Sequence, residues 1–165
     1  MKVKIETEWD RDYWPLFGIR LEAEAVQFAI VHNLDIEPAG SRWTVNPPVL
    51  DTDEDYVVFA SVGRNDLHAL QDELVALGWE KGGSEVGEAG TIGDGWASYR
   101  KGAENLILFW DRNLFDYFKA ATQLAKVLNL RDKEDRVKLF TTLEYLWPGL
   151  RDDIEALIDD EGALL

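Results

Sequence analysis

Apolar residues recur along this chain with two periods, one near three and a half residues and one of two, and the periods mark out its elements. Leu21, Ala25, Phe28, Ala29 and His32 share one stripe at helical spacing, which predicts an amphipathic helix over 21–32. Asp35 to Ala39 reads as a short extended segment running into Gly40-Ser41. The stretch through Asn46-Pro47-Pro48 must be loop, because Pro-Pro fits neither a helix interior nor a central strand. Asp53 to Ala60 is rich in β-branched and aromatic residues and predicts a buried strand. Asn65 or Asp66 can cap a helix whose inner face is Leu67, Leu70, Leu74 and Leu77 and whose end is Gly78.

The second half continues the alternation of element types. Residues 82–95 hold six glycines and predict a flexible loop or hairpin tip. Trp96–Lys101 and Asn105–Trp110 read as two strands joined through Gly102 and Ala103 as a β-hairpin. Leu114, Tyr117, Phe118, Ala121, Leu124, Ala125 and Leu128 trace a strong helical stripe. Asp132 caps a further helix with Val137, Phe140, Leu143 and Trp147 inward, ended by Pro148-Gly149, and Asp152–Asp160 forms a short acidic terminal helix. This order predicts an α/β (α+β) fold, a small mixed β-sheet flanked by helices with a helical C-terminal region. One domain over 1–165 is expected, with 1–20 as an N-terminal extension and 150–165 as an acidic tail.

Composition narrows the function. Apolar residues make up 46% of the 165, enough for one core, and no apolar run reaches the roughly 18 residues that span a bilayer. With no cysteine, disulfide frameworks and Cys-zinc sites are excluded. The start of the chain has no apolar stretch like that of a signal peptide, so a cytoplasmic protein without a membrane partner is expected. A net charge of -15 disfavours broad duplex DNA binding, which is driven by Lys and Arg neutralising phosphates. It equally suits a solvated surface, a carboxylate-rich metal site, or a face that engages a basic protein.

The candidate chemistry lies between residues 40 and 55. Asp53 and Asp55 stand at i and i+2 at the head of a strand and project to one face, roughly 6–7 Å apart along the chain. Carboxylates that close repel unless a cation lies between them, and hard oxygen ligands suit Mg²⁺ or Mn²⁺. Gly40 lets a phosphate approach the backbone, Ser41 can hold it, and Arg42 can add charge-assisted bonds. Lys126, Lys133 and Arg136 either reach the same triphosphate or pair with neighbouring acids such as Asp132 and Asp135. Other readings fail or stay mute. Asp51, Asp53 and Asp55 open like an EF-hand, but Tyr56 stands where its glycine belongs and Val62 where its glutamate belongs. The Gly82–Gly95 stretch lacks the Gly-Lys-Ser/Thr of a P-loop. His32 fits a satisfied core histidine, and His68 faces solvent.

Gly40-Ser41, a loop, and then Asp53-Glu54-Asp55 opening an apolar strand resembles the signature of the nucleotidyltransferase superfamily. The stretches Trp96–Gly102 with Asn105–Leu108, Phe118–Thr122 with Leu124–Leu130, and Asp132 to Phe140 resemble small, mostly phage-encoded proteins assigned to it. The likeness spans residues 22–146. It implies a nucleotidyltransferase-like fold and Mg²⁺-dependent transfer of a nucleoside monophosphate from an NTP to an acceptor, which could be an RNA, a protein or a small molecule. Gly40 and Ser41 would hold the triphosphate, and Asp53 and Asp55 the metal and the catalysis. The chain departs from the pattern twice: Glu54 replaces an apolar residue, and the third carboxylate has no clear equivalent. Glu104, beside Asn105, is the candidate metal ligand for that place, with Asp111 a further one. A catalytically degenerate domain of this kind, or an acidic protein that binds a host partner, is the alternative.

Overall fold

A computed structural model describes residues 19–47, 53–61, 66–82 and 95–161, with side chains of the last helix as far as Trp147. Residues 1–18 of the expected N-terminal extension, Asn65, the glycine-rich segment from Gly83 to Asp94 and the side chains of the acidic tail lie outside the described residues, while Ile19 of that extension is buried in the core.

Five strands form one mixed sheet: β1 (Asp35–Ala39), β2 (Glu54–Phe59), β3 (Glu80–Lys81), β4 (Trp96–Lys101) and β5 (Glu104–Phe109). Their order across the sheet is β1-β2-β5-β4-β3, and only β2 and β5 run parallel. The helices are α1 (Glu24–His32), α2 (Gly40–Thr44), α3 (Leu67–Ala76), α4 (Arg112–Val127) and α5 (Lys133–Glu161). The mixed sheet flanked by helices is therefore what the alternation of periods led one to expect. None of the described helices is long and apolar enough to cross a membrane.

Strand alternation divides the core in two. Ile36, Tyr56, Val58, Leu106 and Leu108 point to the face packed by Val26 and Phe28 of α1 and Leu74 of α3. Val57, Phe59, Ile107 and Phe109 point to the other, where α4 lays Phe115 and Phe118. Because β2 is covered on both faces, it reads as an unbroken apolar run from Tyr56 to Phe59. Asp66 and Asp111 start α3 and α4 by accepting the backbone N–H groups of Ala69 and of Asn113 and Leu114, respectively. Phe140 of α5 packs on Phe118 and Tyr117, and the Tyr117 hydroxyl donates to the Phe140 carbonyl at 2.9 Å.

Four expectations change. The segment after β1 is not all loop, since Gly40–Thr44 makes the short helix α2. Glu80–Lys81 adds an edge strand too short to give a periodic signal. Leu77, Leu124, Leu128 and Val137 are exposed rather than on the packed face. Pro148-Gly149 does not end the last helix, which runs unbroken to Glu161. The carbonyl that Pro148 leaves without a donor belongs to Glu144, an exposed position where solvent can serve it.

Burial sets the expected stability effects. Phe115 is 1% exposed, and Phe115→Ala costs about 3–5 kcal/mol in urea melts. Val127 is 80% exposed, and Val127→Ala stays within about 0.5 kcal/mol of wild type.

Candidate functional site

Two strand registers assemble the site. Antiparallel pairing of β1 with β2 sets Ala39 opposite Asp55, so the chain leaving β1 brings Gly40 directly over that carboxylate. Gly40 adopts φ +70°, and a Cβ there would lie 1.8 Å from Asp55 Oδ2. Only glycine allows this approach. Parallel pairing of β2 with β5 sets Asp55 opposite Asn105, whose Nδ2 donates to Asp55 Oδ1 at 2.8 Å. The β4–β5 hairpin then sets Arg100 opposite Asn105, and Arg100 reaches Asp53 at 3.4 Å.

Asp55 is the electrostatically costly member of the group. Burial raises its pKa above the ordinary 3.8, and the Asp53 carboxylate adds to the rise, against the Asn105 hydrogen bond and the more distant Arg100 and Arg42. Asp53 is more open, with 45% of its side chain exposed. The two aspartates thus provide one half-buried carboxylate, oriented by the Asn105 amide, and one more open to solvent. That donor set suits a hard divalent cation such as Mg²⁺, which takes one or two carboxylates and completes its shell with water and phosphate oxygens. No cluster of three or more metal-ligating acids or histidines forms among the described residues.

Glu54 and Glu104 turn away from this group. They face each other across β2 and β5, and Arg20 lies between them, 3.0 Å from Glu54 and 3.7 Å from Glu104. Arg20 also donates from Nε to both Glu54 oxygens, and the Tyr56 hydroxyl donates to Glu54 in a short bond. Burial alone would raise the Glu54 pKa, but these donors hold it below the ordinary value. Burial pushes the Tyr56 phenol far up, with Glu54 adding to the shift, so it stays protonated. Glu104 accepts the N–H groups of Glu24 and Ala25 at 3.1 and 3.0 Å, capping an α1 whose own N-cap residue, Ala23, has no oxygen to offer. Glu104 therefore stands apart from Asp53 and Asp55, and Asp111 is spent capping α4.

The basic residues separate as well. Arg42 lines a small cavity of about 130 Å³ with Arg20, Ala39, Trp43, Glu54 and Asp55, and its guanidinium lies 3.9 Å from Glu54. Lys126 reaches across from α4 to α2, with its ammonium 3.0 Å above the Trp43 ring and 3.2 Å from the Trp43 carbonyl. Burial lowers its pKa. Arg136 closes the α4–α5 turn through the carbonyls of Leu130 and Arg131 instead of pairing with Asp132 or Asp135. Lys133 is exposed at the start of α5. Gly40, Ser41, Arg42, Asp53, Asp55 and, through Trp43, Lys126 are thus brought together; Glu104, Lys133 and Arg136 are not.

Arg20 and Arg100 are the participants that the motif did not mark, whereas Asn105 stands near the place expected of a third carboxylate. A hairpin turning at Gly102-Ala103 pairs 101 with 104 and hence 100 with 105, so Arg100 was within reach of simple counting. Arg20 gives no such signal. His32 is tied up structurally, its ring against Phe28 and its Nε2 2.5 Å from Glu73 of α3. No protein-family profile, curated protein or solved structure matches this chain.

The raised Asp55 pKa fixes a pH dependence. The folded chain keeps the Asp55 proton to higher pH than the unfolded chain, so ionisation removes stability as pH rises through the folded value. Asp55→Asn therefore raises Tm above wild type at pH 7, and the gain disappears as pH falls to 3.8 and below. Gly40→Ala lowers stability at every pH by at least about 1 kcal/mol, because the left-handed backbone disfavours a side chain before any clash is counted.

Proposed function

We propose that this domain binds a nucleoside triphosphate with Mg²⁺ or Mn²⁺ and transfers its nucleoside monophosphate to an acceptor, as a nucleotidyltransferase does. The observation that carries the reading is the contact of Gly40 with Asp55, which sets the Gly40-Ser41 turn beside a carboxylate that suits a divalent cation. The resemblance of Gly40-Ser41 and Asp53-Glu54-Asp55 to the superfamily signature supports it from the sequence side.

In this reading Asp53 and Asp55 hold the cation, which when bound supplies charge neutralisation for the triphosphate and the departing pyrophosphate. Asn105 keeps the Asp55 carboxylate aimed, as hydrogen-bonding partners of metal ligands do. Gly40 and Ser41 grip the phosphates, and Arg42 adds positive charge from the adjoining cavity wall. The acceptor oxygen attacks the α-phosphorus in line, and the rate comes from positioning and charge stabilisation rather than a covalent intermediate. Lys126 acts one step back, by fixing Trp43 and with it the end of α2.

One feature favours a second reading. Asn105 occupies the place beside Asp55 where the superfamily resemblance calls for a third carboxylate, and a domain that binds NTP without turnover would keep that amide. Release of pyrophosphate separates the two, since only the enzyme produces it.

Calorimetric titration tests the shared core of both. Each NTP is titrated with and without Mg²⁺ into wild type, Asp53→Ala/Asp55→Ala and Glu104→Gln. Binding requires the metal, disappears in the double variant, and survives in Glu104→Gln, whose α1 cap is weakened by about 1 kcal/mol. Wild type that binds no NTP with either Mg²⁺ or Mn²⁺ ends this reading.

A further inference from the structure

A second and larger cleft, about 300 Å³, opens between β4–β5 and the helices α4 and α5. Its walls are aromatic: Trp96 and Phe109 stack at 6.3 Å with ring planes 30° apart, and Phe118 lies 5.5 Å from Phe109. Its polar groups include Ser98, Arg100, Asn105 and Glu144. Tyr117 contributes a ring but no free proton, because its hydroxyl donates to the Phe140 carbonyl at 2.9 Å.

Asn105 connects this cleft to the aspartate pair. The amide Nδ2 is committed to Asp55, which fixes which way the side chain is turned, since an ionised carboxylate accepts only a donor. Asn105 Oδ1 is then buried with no hydrogen-bond partner among the described residues. An orphaned buried acceptor costs stability and calls for a donor from elsewhere. The Asp55–Asn105 bond therefore forms a wall between two cavities, one flanked by Arg42 and Asp55 and one lined with aromatic rings.

We propose that the aromatic cleft binds a nucleobase, stacked on Trp96 and donating an N–H to Asn105 Oδ1. Half-buried Trp96 and Phe118 leave ring surface open to a planar partner, and stacking of this kind tolerates any base with a π-face. The Asn105 acceptor then requires that the base carry an N–H donor. The inference deepens the NTP reading above and rests on it for the link to the phosphates. The base can belong to the NTP itself or to a nucleotide acceptor.

Three small probes separate these ideas. Inorganic tripolyphosphate with Mg²⁺ has phosphates and no base. The fluorescent 2-aminopurine riboside has a base with an amino donor and no phosphate. Purine riboside has the same ring system without an N–H. The nucleoside 2-aminopurine riboside binds wild type with quenching of its emission, and purine riboside binds several-fold more weakly, about the value of one hydrogen bond. Trp96→Ala weakens 2-aminopurine riboside by on the order of tenfold and leaves tripolyphosphate unchanged. Trp96→Phe, which keeps a ring, serves if the alanine variant does not fold, and retains binding of the nucleoside within about threefold. Asp53→Ala/Asp55→Ala does the reverse, losing tripolyphosphate and keeping the nucleoside.

If the cleft serves the NTP's own base, Trp96→Ala weakens NTP binding as much as nucleoside binding. If it serves the acceptor, NTP affinity is unchanged and nucleoside and NTP bind simultaneously. Failure of tripolyphosphate to bind, with nucleoside binding intact, overturns the metal–phosphate reading and leaves the base cleft in place. A wild-type protein that binds tripolyphosphate but no nucleoside, or a folded Trp96→Ala that binds nucleoside as well as wild type, overturns the cleft.

Discussion

The site depends on one carboxylate that folding strips of water. Asp55 sits beneath Gly40 with its Oδ2 in the space where any other residue would carry a side chain, and its other oxygen is held by the neutral amide of Asn105. A neutral donor offsets only part of the cost of desolvating a charge, and Asp53 on the same face adds repulsion. The surrounding structure has to impose this arrangement, and it does so through backbone pairing: Ala39 opposite Asp55 on one side, Asp55 opposite Asn105 on the other. Both covered faces of the sheet hold those registers, because a one-residue slip would turn Val57 and Val58 to the wrong layers.

Alternation along β2 and β5 also assigns the remaining acids their work. Glu54 and Glu104 are direct cross-strand neighbours, a like-charge pair that would destabilise the sheet by itself. Arg20 lies between them, Tyr56 donates to one, and the first backbone N–H groups of α1 occupy the other. One face of these two strands thus carries acids whose charge is fully engaged in structure. The opposite face carries Asp55, whose charge is met by the Asn105 amide and by the more distant Arg100 and Arg42, while Asp53, just before the strand, lies 3.4 Å from the exposed Arg100. A unit step along the strand separates an acid that supports the fold from one that is available for chemistry.

Much of this was legible in the sequence, and the parts that were not have physical reasons. Strands β2, β4 and β5 and the α4 stripe follow from apolar spacing, whereas Asp53, expected inside β2, lies just before its first residue, Glu54. Glu104 and Asn105 could not be ranked without the register. Carboxylate chemistry favours the glutamate, but the β2–β5 pairing sets Asn105 beside Asp55 and sends Glu104 to α1. The α2 turn was hidden because five residues carry no period, and Gly40 reads equally well as loop. Arg136 and Asp111 resemble site residues in composition but are consumed by local backbone groups, a use that only the end of a helix reveals. The run through Pro148 shows the converse case, where a strong breaker is tolerated because the orphaned carbonyl falls at an exposed position.

On the proposed reading Asp55 is a half-buried carboxylate that holds a cation, and its own titration tests this most directly. Carbon-13 NMR of the Asp55 carboxyl, followed through pH with and without Mg²⁺, reads the charge at that atom. The account predicts a midpoint above 3.8 in the metal-free protein, moving down when Mg²⁺ is added. A midpoint at or below 3.8 that does not respond to Mg²⁺ would contradict it.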